Sequence, residues 1–173
     1  GTKGTVMPNY CKNILIVNGD KTLIEGLIRH VTGEEGNFDF NTMIPYPERF
    51  RKMDAACREA DRAGTRLPGI KDGYNSGGYE WCIEHWGTKW NACTAEVFQS
   101  SLGTMFIFET AWGPPILVIE EIARRFPKLS IELLYFEQGM QKAGVWSRRE
   151  PEESEQPEPE HTKWDNYSGM LGG

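Results

Sequence analysis

Trp81-Cys82-Ile83-Glu84-His85-Trp86-Gly87-Thr88-Lys89-Trp90-Asn91-Ala92 is the stretch that divides this chain, because helical spacing ends and strand-forming sequence begins inside it. Trp81 and His85 stand four apart, as do Cys82 and Trp86, so on a helix each pair shares part of a face. Gly87 can take the left-handed conformation at a helix end, which turns the chain and lets it enter a strand near Trp90. The stretch is read as a corner. Its rings have two uses. They fill the gap between a helix and a sheet, which suits the large area each ring buries. Alternatively Trp86, Lys89, Trp90 and Asn91, joined by Trp112, form a recognition surface in which rigid rings bind at low entropic cost. A mixed arrangement is expected, with Trp81 and Trp86 buried as anchors and Lys89 presented beside a partly open Trp90 or Trp112.

Downstream of the corner, Trp90 to Gln99 and Met105 to Thr110 read as strands joined by the hairpin signal Ser100-Ser101-Leu102-Gly103. Pro115 can start a helix with Ile116, Ile119, Ala123 and Phe126 on one face, and Pro127 stops it. Ser130 to Glu137 alternates as a last strand. Upstream, Cys11 to Asn18 carries the apolar run Ile14-Leu15-Ile16-Val17 and reads as a strand. Asp20 can cap a helix whose Ile24, Leu27, Ile28 and Val31 keep helical spacing as far as Gly33.

Between that helix and the corner, Phe38, Phe40 and Ile44 mark an irregular segment pinned by its aromatics. Pro47 then opens a helix with Phe50, Met53, Cys57 and Ala60 on its apolar face, ended by Gly64. Its other face sets Arg51, Lys52, Arg58 and Arg62 against Glu48, Asp54, Glu59 and Asp61, the pattern of a solvated face with weak ion pairs. Arg66 to Gly78 is a polar glycine-rich loop without phosphate-loop spacing.

Setting aside residues 38–89, the order is strand, helix, strand, strand, helix, strand. That is the α+β, ferredoxin-like split βαβ arrangement: an antiparallel sheet with two helices on one face. The expected organisation is a single domain over 7–146 with a large insertion at 38–89, between the first helix and the second strand. A Pro/Glu-rich acidic tail follows over 147–173. Residues 151–160 hold five glutamates and no lysine or arginine. Such a tail buries too little apolar surface to order itself, so its removal is expected to leave stability nearly unchanged. Any contact is expected through Trp146, Trp164 or Tyr167.

At 173 residues with a net charge of -6, the chain is long enough for one domain with a real core. The acidic balance disfavours sequence-independent nucleic-acid binding, which cationic side chains drive. No apolar run reaches bilayer length and no signal sequence opens the chain, so a cytoplasmic protein without a membrane partner is expected. Residues 1–6 are set aside as an expression remnant. Cys11, Cys57, Cys82 and Cys93 show no CxxC spacing, so reduced, metal-free thiols are expected.

Met7-Pro8-Asn9 with Asn13, Phe38-Asp39-Phe40-Asn41 with Ile44-Pro45, and Trp81-Cys82 with Trp86 to Ala92 together resemble the YubB-type proteins of plasmids and phages. Phe108-Glu109-Thr110-Ala111-Trp112 with Pro114-Pro115, and Tyr135 with Glu137, Gly139-Met140 and Ala143-Gly144, extend the resemblance to about Val145. The resemblance implies a ferredoxin-like core and a mobile-element origin. It implies no activity and no catalytic residues.

Candidate chemistry is sparse. Cys82 and His85 could meet on one helix as thiolate and imidazole, but such a nucleophile also needs oxyanion donors and usually a group that orients the base. Cys82, His85 and Cys93 lack a fourth metal ligand at suggestive spacing. Glu109 is expected to bond inward, to a backbone amide or to Lys89. Tyr135, Phe106 or Phe108 could stack bases on an open sheet, yet the RNP1 pattern is absent and the insertion is expected to cover that face. The expectation is a non-enzymatic phage or mobile-element accessory protein without a cofactor. It would bind a host protein or sequester a host signalling molecule of the defence response. A nucleic-acid binder is the alternative, with a Cys82/His85 enzyme behind it. Trp86, Lys89, Trp90, Asn91 and Trp112 are the candidate binding residues. A dry pocket would favour a small molecule, and a flat patch a protein; the sequence does not set the oligomeric state.

Overall fold

The computed structural model describes residues 9–166. Strand β1 (Tyr10–Asn18) leads through a tight turn into helix α1 (Lys21–Val31), and Asp20 caps it by accepting from the Thr22 and Leu23 amides. The next strand comes only at Cys93. Between them lie a 3-10 turn at Phe40–Thr42, helix α2 (Glu48–Ala63), a second turn at Tyr74–Ser76 and helix α3 (Gly78–Trp86). Strand β2 (Cys93–Ser100) and strand β3 (Gly103–Ala111) form a hairpin. Helix α4 (Ile116–Arg125) then returns the chain to strand β4 (Ser130–Glu137).

The first four strands lie in the order β2-β3-β1-β4, with β1 antiparallel to both β3 and β4. This is the ferredoxin-like order, in which β1 and β2 run parallel with β3 between them. The alternation of side chains across each strand decides which face is core. Leu15, Val17, Phe106, Phe108, Ile131 and Leu133 point to one face and are buried there against Leu27 and Val31 of α1 and Ile119 and Ile122 of α4. Phe106, Phe108 and Tyr135 therefore belong to the covered face, not to an open one.

The insertion packs on the helical side, where α3 meets α4. Phe38 stacks on Phe108 with ring centroids 4.5 Å apart, and Phe40 meets Trp86 edge-on at 5.4 Å. The insertion thus helps to cover the face that carries Phe106, Phe108 and Tyr135, as the sequence led one to expect, and leaves the opposite face open: Ile107 and Phe136 are each 39% exposed. Glu109 lies on that open face, directly across from Lys12, and so does not bond inward.

The sheet also continues past the expected last strand. Strand β5 (Lys142–Arg148) pairs with β4, and strand β6 (Glu160–Trp164) pairs with β5, giving six strands in the order β2-β3-β1-β4-β5-β6. The fold thus runs through Trp146, which is core, rather than ending there. The Arg148 guanidinium donates to the carbonyls of Ala123, Phe126 and Leu129, satisfying orphan acceptors at the end of α4. Within the acidic stretch, the Arg149 guanidinium pairs with Glu155. Gln156, Pro157 and Pro159 border a cavity with Ala123, Trp146 and Arg148, while Glu152, Glu153, Glu155 and Glu158 remain exposed. Trp164 is half-buried in β6; Tyr167, like Met7 and Pro8, falls outside the described residues. Among the described residues, no helix is long and apolar enough to cross a membrane.

Because β6 shares a ladder with β5, removal of residues 151–173 is expected to destabilise the protein, reversing the sequence expectation. A melting-temperature loss of at least about 4 °C, equivalent to roughly 1–2 kcal/mol in a chain of this size, is the expected outcome. A second prediction concerns His161, whose Nε2 is hydrogen-bonded to the Tyr135 hydroxyl at 2.8 Å. Burial, and then Lys163, hold this imidazole below its ordinary pKa. The unfolded chain therefore binds the proton more readily than the folded one. The stabilisation is present above the ordinary value of about 6.5 and is lost as pH falls through the lowered one. Amide-exchange protection of β6 should fall between about pH 7.5 and about pH 5, and a His161→Gln variant should show no such change.

Candidate functional site

The buried carboxylate Asp39 organises the residues around it. It is 3% exposed and follows Phe38, whose ring enters the core. Its Oδ1 accepts from the Asn41 amide at 3.0 Å and from the side chains of Asn41 at 3.1 Å and Asn91 at 2.8 Å. Its Oδ2 accepts from the Glu35 amide at 3.2 Å. Gly33 makes room for this: a Cβ there would lie 2.3 Å from Asp39 Oδ2.

Asn91, just past the corner, completes the arrangement. Its side-chain oxygen accepts from the Phe40 and Ala92 amides, each at 2.9 Å, and its amide nitrogen also donates to Glu35. Asn41 repeats the pattern, donating to Glu35 at 3.2 Å and accepting from the Tyr46 amide at 2.9 Å and from Arg51 at 3.1 Å. One polar network thus joins the loop after α1, the first 3-10 turn, the start of α2 and the approach to β2.

Helix α2 supplies the next wall. Arg51, Asp54 and Arg58 stand at i, i+3 and i+7, so they share one face. Asp54 accepts from the Tyr46 hydroxyl at 3.0 Å and from the Tyr74 amide at 2.9 Å, fastening α2 to the segments on either side. Burial, reinforced by Asp54, pushes the Tyr46 hydroxyl pKa upward, and burial foremost raises that of Tyr74 to about 12. Both phenols are neutral at physiological pH. The aromatic wall comes from the corner, where Trp86 donates through Nε1 to the Ile44 carbonyl at 2.8 Å and Trp90 stands beside it.

These walls enclose an open cleft of about 380 Å³. Three of the sequence candidates, Trp86, Trp90 and Asn91, line it. The other two do not. Lys89 turns to the far side of the corner, with Nζ 4.6 Å from the Trp112 ring and 5.9 Å from that of Tyr79. Trp112 is 37% exposed there. The corner is therefore mixed, with Trp86 as the 3% exposed anchor and Lys89 displayed on Trp112, while Trp81, expected as a second buried anchor, is only half-buried. Sequence reading missed Glu34, Glu35, Arg51, Asp54 and Arg58, which also line the cleft. The signal lies in the i, i+3, i+7 spacing of Arg51, Asp54 and Arg58; the face is solvated as expected, with Arg51 and Arg58 exposed, and its Asp54 is half-buried at the cleft.

Cys82 and His85 are not brought together. Cys82 is buried and its thiol is pushed up to about 12 by burial, so no thiolate forms near neutral pH. His85 is exposed, stacks on Trp81 at 4.4 Å and bonds its Nδ1 to the Trp81 carbonyl. Cys11, Cys57, Cys82 and Cys93 are all free thiols. No group of three or more His, Cys, Asp or Glu side chains among the described residues could hold a metal ion.

Residues 85–166 match a family model described as "Ferredoxin-like domain in Api92-like protein". The domain is ferredoxin-like. The match begins inside α3 and reaches through β6, so the late strands lie within the matched region. A crystal structure of a protein api92 from Yersinia pseudotuberculosis is similar, with a TM-score of 0.51 at 10% identity over 83% of this chain and 95% of that chain. At that identity the likeness speaks for the fold alone. No curated protein matches the sequence.

Truncating the anchor Trp86→Ala should cost about 3 to 5 kcal/mol, the usual range for a large buried ring. Asn91→Ala should cost about 1 to 3 kcal/mol, because it strips partners from the buried Asp39 and from the Phe40 amide. Lys89→Ala should leave denaturant midpoints almost unchanged. Urea titration of the three variants checks the order.

Proposed function

We propose that this chain is a non-catalytic binding protein that holds a small, planar, anionic ligand of nucleotide size in the cleft between α2, α3 and the Asn41–Asn91 network. The carrying observation is the cleft itself, in which aromatic rings and unspent hydrogen-bonding groups share a volume of about 380 Å³, within the usual range for small-molecule sites. Asp39, Asn41, Asn91 and Asp54 are engaged in holding the walls. Arg58 and Glu34 line the space without such duties, the Trp90 side chain bonds to Cys93 but leaves its ring face at the cleft, and Arg51 keeps guanidinium N–H groups beyond its contacts with Asn41 and Glu48. Arg51 and Arg58 suit an anionic group, Trp90 suits the face of a ring, and Glu34 and Glu35 suit donors on the ring edge.

Sequestration of a host signalling molecule by a phage or plasmid accessory protein is the setting this reading favours, supported by the resemblance noted in the sequence. Nucleic-acid binding finds less support, because the open sheet face carries carboxylates where phosphates would approach. The Cys82/His85 enzyme finds none in a neutral, buried thiol beside an imidazole that is bonded to the Trp81 carbonyl instead.

The test is tryptophan-fluorescence titration with mononucleotides and cyclic dinucleotides, joined to mass spectrometry of small molecules that co-purify with the protein. Saturable quenching is expected, weakened at least about tenfold by Arg58→Ala, a loss of roughly 1.4 kcal/mol. Lys89→Ala, on the far side of the corner, should leave it unchanged. Absence of any saturating or co-purifying ligand, or equal binding by the Arg58→Ala variant, overturns the proposal.

A further inference from the structure

We infer that the open face of the sheet is a docking surface for a basic amphipathic helix of another protein. The register places Ile107, Ile14, Leu134 and Val145 directly beside one another on β3, β1, β4 and β5, one apolar row across the middle of the face. Phe98 and Phe136 flank it and are 44% and 39% exposed. The helices and the insertion occupy the other side, so nothing among the described elements covers this row.

The surrounding charge selects the occupant. Glu96, Glu109, Glu132 and Glu160 share the face with a single lysine among the described strand residues, Lys12, which lies 5.9 Å from the Phe136 ring centroid. An apolar centre rimmed by carboxylates repels the phosphates of nucleic acid and of anionic lipid. It also disfavours a second copy of this chain, since stacking two such faces would double the confined negative charge. A partner with an apolar stripe and lysines or arginines beside it satisfies both requirements.

Spacing favours a helix in that role. Neighbouring strands lie about 4.8 Å apart, and a helix presents its i, i+3, i+4 and i+7 side chains at steps close to its pitch of about 5.4 Å. A helix laid across the strands can therefore seat successive apolar side chains along the row. Six strands give a width of about 24 Å, matched by a helix of about 16 to 18 residues.

The probe is a fluorescein-labelled peptide of about 18 residues built from leucine and lysine, with leucines at helical spacing, titrated with the full chain by fluorescence anisotropy. A scrambled peptide of the same composition is the control. Expected are binding that weakens with added salt, at least tenfold weaker binding of the scrambled peptide, and at least a tenfold loss in the double variant Ile107→Asn with Phe136→Asn. A second double variant, Glu109→Gln with Glu132→Gln, keeps side-chain size and should remove much of the salt dependence. Equal binding of the two peptides overturns the inference, as does binding indifferent to both double variants. A dimer in sedimentation that Ile107→Asn dissociates would overturn it in favour of a second copy. Arg58→Ala should leave peptide binding intact, which separates this surface from the cleft.

Discussion

A carboxylate taken out of water must be given donors, and Asp39 sits almost wholly inside the protein. The backbone that surrounds it supplies two amides, and Asn41 and Asn91 supply the side-chain donors. Asn91 comes from the approach to β2, some fifty residues along the chain, so the insertion cannot close until the corner has reached the sheet. The walls of the cleft inherit that dependence. Asn41 orients Arg51, and Arg51 lies one turn from Asp54, which ties down Tyr46 and Tyr74. Breaking the network at Asp39 would thus loosen a site whose Arg58 and Glu34 it never touches.

The same sheet treats its two faces differently, and the difference follows from what each helix brings. Helices α1 and α4 offer Leu27, Val31, Ile119 and Ile122, enough apolar surface to cover one face. The insertion adds Phe38 and Phe40 to that same face and nothing to the other. What remains uncovered is still built from Ile14, Ile107 and Leu134, because β-branched and apolar residues form strands whether or not a second layer arrives. An uncovered apolar row is costly to leave in water, and its rim of glutamates limits indiscriminate association.

The core strands were legible in the sequence because their apolar pattern was undisturbed. Cys11 to Asn18 carries a short apolar run bounded by turn residues, Ser130 to Glu137 sets apolar residues on both sides, and the helix signals at Asp20, Gly64 and Gly87 stood where helices start or stop. Strand β5 was hidden because Gly144 and Arg148 occupy inward positions where apolar residues would announce a strand. Strand β6, Glu160 to Trp164, has no apolar alternation at all; the free edge of β5 recruits it through backbone hydrogen bonds, which any sequence offers. The corner was half legible. Its anchor and its displayed lysine could be argued from ring size and stem length, but its neighbours across space could not. The charged residues of α2 are solvated as their pattern suggests, but one helix seen alone does not reveal that Arg51, Asp54 and Arg58 also face the cleft.

The two surfaces now differ in how they could have arisen. The cleft lies in a segment that interrupts the sheet and its two covering helices between the first helix and the second strand, and that segment shares their core. Carrying such a segment costs modest entropy, since the cost of loop closure grows only slowly with length. The segment must then be fixed from within, and here it is fixed by Phe38 and Phe40 on the apolar side and by Asp39 between them on the polar side. Three consecutive residues thus alternate between anchoring the insertion to the core and organising the cleft. Exchanging the cleft for another would require changing what surrounds Asp39 while leaving the two phenylalanines in place.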